Sequence, residues 1–235
     1  MSAVPSEALA DAWPSARQTA LLAGASGLVG RALLAQLLDD DRATVHALLR
    51  REVHDLPASR QLTRHVIDFG APARLPAADE LYIALGTTIK VAGSKAAFRA
   101  VDFDAVLNVA RAAQHSGVMR CAVVSALGAD PNSKVFYNRV KGEVERALRE
   151  LRFERLVIAR PSLLAGERAA LAQAPRWGER VALRALAPVA GLLPASLRPI
   201  EAATVARAMR YALRTEGLSL QILESGVLQT LGRGV

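Results

Sequence analysis

The chain has 235 residues, of which 51% are hydrophobic and 22% are charged, a composition that suits one folded domain and excludes disorder for most of its length. Its single cysteine, Cys121, excludes a disulfide framework and a cysteine-based zinc or iron–sulfur site, and we expect no metal centre. Aromatic residues make up only 4%, which argues against nucleic-acid modules that stack bases on aromatic side chains.

The formal net charge is +8, and arginine carries most of it because the chain has only four lysines. A charge of this size is evidence about partners. It leaves open a nucleic acid, an anionic surface, a phosphorylated ligand, or simply a surface coated with arginine. No basic run is longer than the pair Arg50 and Arg51, and no groove-reading element is visible, so we expect no nucleic-acid partner.

The first residues lack the apolar segment of a secretory signal, and Glu7 and Asp11 precede any arginine. The longest apolar stretch, residues 185–197, is interrupted by Pro188 and Pro194 and is too short to span a bilayer. We therefore expect a cytoplasmic protein without a membrane span.

Short apolar runs alternate with helical patterns after a leader, residues 1–18, that has no strong periodicity. The predicted strands are 19–23, 44–49, 64–68, 81–85, 121–125, 156–159 and 221–223. The predicted helices are 28–38, 98–114, 137–151 and 201–213. Wholly apolar strands separated by helices predict an α/β fold, a doubly wound parallel sheet covered on both faces. We expect one domain over residues 19–235, in which residues from about 162 onward form a small cap on the substrate side of the sheet.

A glycine-rich segment follows the first strand and opens the first helix, with Gly24, Gly27 and Gly30 spaced three residues apart. Glycines at such a turn let backbone N–H groups approach a pyrophosphate, and the helix N-terminus adds partial positive charge. The segment therefore predicts a dinucleotide site, to which we also assign the intervening residues Ser26, Leu28 and Val29.

Further cofactor residues are expected where the next strands end. Arg50 and Arg51 stand where an enzyme that prefers NAD usually places an acid, and guanidinium groups match a phosphate, so they favour NADP(H) over NAD(H). Asp68 is expected to accept a hydrogen bond from the adenine amino group, with Phe69 alongside, unless Asp68 is an ordinary loop aspartate. The fourth strand leads into Leu85, Gly86, Thr87 and Thr88, where a small residue lets a ribose lie close to the backbone.

A Y-x-x-x-K motif, Tyr137 and Lys141, places both side chains on one face of a predicted helix. A lysine ammonium close to a phenol favours the phenolate form and makes the phenol a better acid–base group at neutral pH. Ser125 ends the preceding strand and is suited to hold a substrate carbonyl oxygen as it gains charge. These three residues are the predicted catalytic set.

Together the motifs resemble the short-chain dehydrogenase/reductase superfamily, in particular its atypical branch and the Tat-interacting oxidoreductase-like proteins. The stretches that carry the resemblance are 85–88, 101–104, 125–130, 137–145 and 223–225. The resemblance covers about residues 19–232 and implies a Rossmann fold, NADP(H) binding and a catalytic triad of Ser125, Tyr137 and Lys141. It also implies that Pro161, Ser162 and Leu163 form the turn that lies against the nicotinamide.

One position departs from the resemblance. Many relatives have a fourth catalytic residue, an asparagine, on the helix after the fourth strand. The matching place here is Asp102, with Asn108 one and a half turns further on. This departure leaves the proton relay open.

Two functions follow from these residues. The first is an NADP(H)-dependent oxidoreductase that moves a hydride between the nicotinamide and a small carbonyl or alcohol substrate. The alternative is a non-catalytic protein that senses NADP(H) and changes its contacts with a partner. Residues 185–197 would form an apolar wall of the substrate pocket, unless they are core. The chain is expected to be a monomer, or a homodimer that pairs through the 98–114 and 137–151 helices.

Overall fold

The computed structural model of the chain describes residues 17–165 and 197–233. Within these residues seven strands form one sheet, in which every neighbouring pair is parallel. They are β1 (Gln18–Ala23), β2 (Ala43–Leu49), β3 (Leu62–Val66), β4 (Glu80–Ile83), β5 (Arg120–Val124), β6 (Arg155–Arg160) and β9 (Leu220–Glu224). Their order is β3-β2-β1-β4-β5-β6-β9, so the chain reverses its direction of winding between β1 and β4. This is the doubly wound Rossmann arrangement, and its ligands bind at the carboxyl ends of the strands beside the switch point.

Helices cover both faces of the sheet. They are α1 (Leu28–Leu38), α2 (Ile89–Ala92), α3 (Lys95–Arg99), α4 (Val106–His115), α5 (Phe136–Glu150), α6 (Ala202–Arg214) and α7 (Ser225–Arg233). A second, two-stranded sheet consists of β7 (Leu164–Ala165) and β8 (Ile200–Glu201). No helix in the described ranges is long and apolar enough to cross a membrane.

Two cores lie on opposite faces of the sheet, because successive side chains of a strand point to opposite sides. Leu22 of β1 packs in the core that α1 and α6 cover, whereas Leu21 packs in the core that α4 and α5 cover. The central strands are therefore apolar in both registers, as a sheet buried on both faces requires. β3 is an edge strand, and its Thr63 and Arg64 are exposed.

The prediction of one continuous helix over residues 98–114 is wrong. α3 ends at Arg99, and a π-helical segment over Ala100–Ala105 joins it to α4. A π-helical turn accommodates an extra residue within a helix and is often found at functional sites. Regular spacing of apolar residues does not reveal it, and the buried residue at its centre is Asp102.

The C-terminal region is more than the cap that the sequence indicated. β9 pairs with β6 as the outermost strand of the main sheet, and α6 packs against α1 over one face. Residues 185–196 of the predicted apolar wall lie outside the described residues, as do residues 1–16 of the predicted leader. β1 begins at Gln18, one residue inside that leader.

Candidate active site

The glycine-rich segment makes a tight turn between β1 and α1, with a different requirement at each glycine. Gly24 has a φ of +93°, and a Cβ there would lie 2.5 Å from the Ala84 carbonyl oxygen. A Cβ at Gly30 would lie 1.9 Å from the Gly24 carbonyl oxygen, so α1 approaches the turn too closely for any side chain. A Cβ at Gly27 would meet nothing nearer than the Gly24 carbonyl oxygen at 3.4 Å. Gly27 is thus the least crowded of the three glycines, at the start of α1 where the sequence predicts a pyrophosphate.

A cleft of about 470 Å³ opens at the carboxyl edge of the sheet, between this turn and the start of α5. Among the predicted site residues, its lining includes Gly27, Leu28, Val29, Leu85, Gly86, Thr87, Thr88, Ser125, Tyr137, Lys141, Pro161, Ser162 and Leu163. Asp102 also lines the cleft. One depression thus brings together the turn, the segment after β4 and all three residues of the predicted catalytic set.

The position of α5 brings Tyr137 and Lys141 to this cleft. α5 begins at Phe136, and its residue Gly142 packs directly on the turn that follows β5. A Cβ at Gly142 would lie 2.1 Å from the Pro131 nitrogen and 2.2 Å from the Asp130 carbonyl carbon. Only glycine permits this approach, which places the Tyr137 and Lys141 face of α5 beside the cleft.

Lys141 is buried and forms an ion pair with Asp102, with 2.7 Å between Nζ and Oδ1. The other carboxylate oxygen of Asp102 accepts a hydrogen bond from the Thr87 backbone N–H at 2.8 Å. Burial is the largest single influence on Lys141 and lowers its pKa, but the charge and hydrogen bond of Asp102, together with Tyr137 and Glu145, outweigh burial, and the pKa is raised. Lys141 therefore stays charged, and Asp102 ties it to the segment after β4.

Asn108, the other residue considered for the fourth catalytic position, lies elsewhere. Its side-chain amide donates hydrogen bonds to the carbonyl oxygens of Phe69 at 3.3 Å and Gly70 at 2.8 Å. It holds the segment after β3 against α4 and does not line the cleft. Asp102 is thus the residue that meets Lys141.

Ser125 is part of a buried polar network that sequence reasoning missed. Its hydroxyl donates to Glu145 Oε1 at 2.5 Å, and Glu145 is only 1% exposed. Arg160 binds both oxygens of Glu145, at 2.9 Å from Nε and 2.6 Å from the terminal nitrogen, and also binds Glu224 at 2.8 Å. The hydrogen bond to Glu145 is the main contribution that raises the pKa of Arg160. Glu145 lies four residues after Lys141 on α5. This spacing is the feature of the sequence that indicates that the two side chains share one face of the helix.

This network changes the role expected for Ser125. The Ser125 hydrogen is donated to a carboxylate, so the hydroxyl presents its oxygen lone pairs to the cleft. It can donate to a substrate carbonyl only after leaving Glu145. Ser162 is similarly engaged, because its hydroxyl donates to the Arg198 carbonyl and accepts from Ser225 at 2.9 Å.

Several predicted cofactor residues do not line the cleft. Gly24 and Gly30 shape the turn from behind, and Ser26 is exposed on it. Arg50 and Arg51 are exposed after β2. Asp68 accepts a hydrogen bond from the Gly70 N–H at 2.8 Å, the ordinary loop role that was its alternative, and Phe69 packs in the core with 8% exposure. Asp68 is exposed and uses only Oδ1 in this contact, and its assignment to an adenine, like that of Phe69, stays a prediction.

A family model described as NAD(P)H-binding matches residues 24–172 of the chain, which include the turn, the cleft and the residues of α5. The chain belongs to the NAD(P)H-binding family. The stated resemblance is confirmed by a relative, the protein HTATIP2 of Rattus norvegicus, which is 33% identical over 227 residues and covers 92% of this chain and 90% of its own length. This family membership makes a nicotinamide dinucleotide the ligand class of the fold.

Two further comparisons extend this result. The protein FMP52, mitochondrial, of Eremothecium gossypii is 39% identical over 151 residues, which are 63% of this chain and 67% of that protein. The solved structure of MoeE5 in complex with UDP-glucuronic acid and NAD has a TM-score of 0.69 at 18% identity, over 89% of this chain and 76% of that one. The MoeE5 likeness confirms the fold alone. The expected cytoplasmic location is wrong, because FMP52 relatives are named as mitochondrial proteins.

Proposed function

We propose that this member of the NAD(P)H-binding family is an NADP(H)-dependent oxidoreductase that interconverts a small carbonyl compound and its alcohol. The observation that carries the proposal is the meeting of Ser125, Tyr137 and Lys141 in the cleft that the glycine turn also lines. A dinucleotide site alone serves binding proteins as well as enzymes. An acid–base group beside the place expected for the nicotinamide is needed only for chemistry.

The dinucleotide fits the residues that line the cleft. The open space at Gly27 accommodates a pyrophosphate at the N-terminus of α1. A Cβ at Gly86 would lie 3.9 Å from Lys141 Nζ, and Thr87 and Pro161 line the same cleft, where we place the nicotinamide riboside. When bound, the reduced cofactor supplies a hydride to the substrate carbon.

The side chains that line the cleft supply the proton transfer and the positioning of the reactants. Tyr137 gives a proton to the carbonyl oxygen in the reductive direction and removes it from the alcohol in the other direction. Lys141, kept charged by its environment, lines the same cleft as Tyr137 and offers hydrogen bonds to a ribose. Asp102 fixes the Lys141 ammonium and the Thr87 backbone relative to each other. Ser125 orients the reacting oxygen by donating to it once its hydroxyl turns away from Glu145.

Substitution of Tyr137 by phenylalanine tests this function. Tyr137→Phe keeps the ring packing against Phe98, where the ring centroids are 5.5 Å apart, and removes only the hydroxyl. A positioned acid contributes typically 10²–10⁴-fold, so kcat for reduction of a carbonyl panel with NADPH should fall by about that factor. NADPH affinity should change little, because the phenol acts mainly in the transition state.

Tyr211→Phe on α6 is the matched control, because Tyr211 does not line the cleft. It should leave turnover unchanged. Full turnover by Tyr137→Phe on a substrate that the unmodified chain reduces would contradict the assignment of the proton donor.

A second function is favoured by one observation: both partners of Tyr137 are already engaged, Lys141 by Asp102 and Ser125 by Glu145. In this alternative the chain binds NADP(H) and reports its presence to a partner without turnover. Tight NADPH binding with no reduction across a broad carbonyl panel would favour the sensor over the enzyme.

A further inference from the structure

Arg31 bridges the glycine turn and the segment that follows β2. It lies in the first turn of α1, and its Nε donates to the Ser26 carbonyl oxygen at 3.3 Å. One terminal nitrogen donates to the Asp55 carbonyl oxygen at 3.4 Å, and the other forms a short ion pair with the Asp55 carboxylate. The Arg31 guanidinium thus lies where the phosphate-binding turn meets the loop that contains Arg50 and Arg51.

The position of Asp55 in this contact is set by its neighbour. Leu56 is 4% exposed in the core below α1, and the Arg64 guanidinium donates to its carbonyl oxygen at 2.9 Å. Asp55 therefore stands at an anchored point of the loop, with its carboxylate in solvent beside Arg31.

Arg50 and Arg51 begin the same loop, and they differ from Arg31 in that neither pairs with Asp55. Both are exposed, and neither forms an ion pair with an acidic residue in the described ranges. Three arginines are therefore associated with one loop and one turn, and only Arg31 has its charge compensated by a carboxylate of this loop.

We propose that Arg31 is a third arginine for the 2′-phosphate of NADP(H), and that Asp55 is a built-in competitor for it. The inference rests on the proposed dinucleotide function and adds a residue that sets specificity. A carboxylate and a phosphate bind a guanidinium through the same paired oxygen geometry. The phosphate carries the greater negative charge and meets Arg50 and Arg51 as well, so it displaces Asp55 from Arg31, whereas NAD(H) leaves the Arg31–Asp55 pair intact.

Binding isotherms of NADPH and NADH, measured by calorimetry on the full chain, test the inference. Asp55→Asn removes the competing charge and should tighten NADPH binding about two- to fivefold, the range that an exposed ion pair supplies, while NADH binding is unchanged. Arg31→Gln should weaken NADPH binding about tenfold or more, since a charge-assisted hydrogen bond is lost, again without an effect on NADH. When Asp55→Asn is added to Arg31→Gln, it should change NADPH affinity less than about twofold, because the two residues act through one contact.

Glu52→Gln is the matched control, because Glu52 is an exposed acid of the same loop without a contact to Arg31. The pair 2′,5′-ADP and 5′-ADP repeats the comparison without the nicotinamide. Equal tightening of NADH by Asp55→Asn, or an effect of Glu52→Gln as large as that of Asp55→Asn, would overturn the inference and leave the proposed function standing. Failure of the unmodified chain to bind either dinucleotide would overturn both.

Discussion

Single side chains at the end of β2 decide cofactor choice in this proposal. Arg50 and Arg51 occupy the place where an acid would select NAD, and both are exposed and accessible to a ligand phosphate. Neither arginine lines the cleft, which agrees with a role at the adenosine end of the cofactor and not at the reacting end.

Charge reversal at either arginine should change the preference between the two dinucleotides. Arg50→Glu or Arg51→Glu removes a charge-assisted phosphate contact worth roughly 1.5–3 kcal/mol, so NADPH affinity should fall about tenfold or more while NADH affinity does not fall. Calorimetric dissociation constants for both dinucleotides are the measurement. Arg74→Glu, an exposed arginine away from the cleft, makes the same change in net charge and should leave the ratio unaltered. Equal affinity of the unmodified chain for NADH and NADPH would show that these arginines do not select the cofactor.

The residues of the cleft differ in how far the sequence could identify them. Gly24, Gly27 and Gly30 could be predicted because a phosphate-binding turn is local and its spacing is visible. The Ser125–Glu145 and Arg31–Asp55 contacts could not, because residues 20 and 24 positions apart meet only after the strands are aligned. Asp68 and Phe69 were assigned from position in the chain alone, and their burial and hydrogen bonds depend on how the loop after β3 folds back.

At the scale of elements, the packing of α5 on the turn after β5 positions the proposed acid–base groups. The sequence predicted this helix nearly within its bounds, since apolar residues recur at helical spacing. It did not predict the π-helical segment, because one inserted residue hardly disturbs that spacing. The buried ion pair of Asp102 with Lys141, which joins this segment to α5, is its visible consequence.

A methyl group at Gly142 should separate α5 from that turn. The Cβ of Gly142→Ala would lie 2.1 Å from a backbone nitrogen, so the helix must move, and overpacking of this kind typically costs about 1–3 kcal/mol of unfolding free energy. We expect NADPH affinity to fall with it because Lys141 is displaced. Urea unfolding and calorimetry measure the two effects. Gly217→Ala is the control, since its Cβ would meet only the ends of two long side chains, Gln221 at 3.0 Å and Arg155 at 4.0 Å. Unchanged stability of Gly142→Ala would contradict the close packing.

The pairing of β2 with the edge strand β3 carries a pH dependence. His46 Nδ1 lies 2.9 Å from His65 Nε2, and burial, followed by the charge of His65, lowers the pKa of His46 from its ordinary value of 6.5. The unfolded chain therefore binds more protons than the folded one just below that value, and unfolding free energy should fall as the pH is lowered through it.

Urea unfolding at about pH 7.5 and about pH 5.5 brackets the ordinary histidine value and measures this loss. His46→Gln should reduce the difference between the two conditions, whereas His115→Gln, an exposed histidine on α4, should not. An identical pH dependence in His46→Gln and the unmodified chain would exclude this pair as its source.

At the scale of the whole molecule, ionic contacts tie the C-terminal region to the sheet. Arg214 of α6 is 3% exposed at its side chain and pairs with Glu80 of β4, with 3.0 Å between Nε and Oε1. Glu80 is the first residue of β4. At the other end of the strands, Arg160, the last residue of β6, pairs with Glu224, the last residue of β9. Leaving either partner of the buried Arg214–Glu80 pair without the other is costly, so this contact fixes α6 against the start of β4.

The parallel sheet could be predicted because its central strands are apolar throughout and alternate with helices. The place of β9 in that sheet could not, since pairing with β6 is a contact over 64 positions that no local pattern contains. For the same reason the C-terminal region was assigned to a cap, whereas α6 packs beside α1 over one face of the sheet.

The binding of NADPH at the glycine turn is the central claim, and titration of NADPH into the full chain and into Gly27→Val measures it most directly. A valine at this position meets no close backbone but fills the space that a pyrophosphate would take. The unmodified chain should bind NADPH, and Gly27→Val, folded by circular dichroism, should not. Equal NADPH affinity in the two folded proteins, or no binding by either, would contradict it.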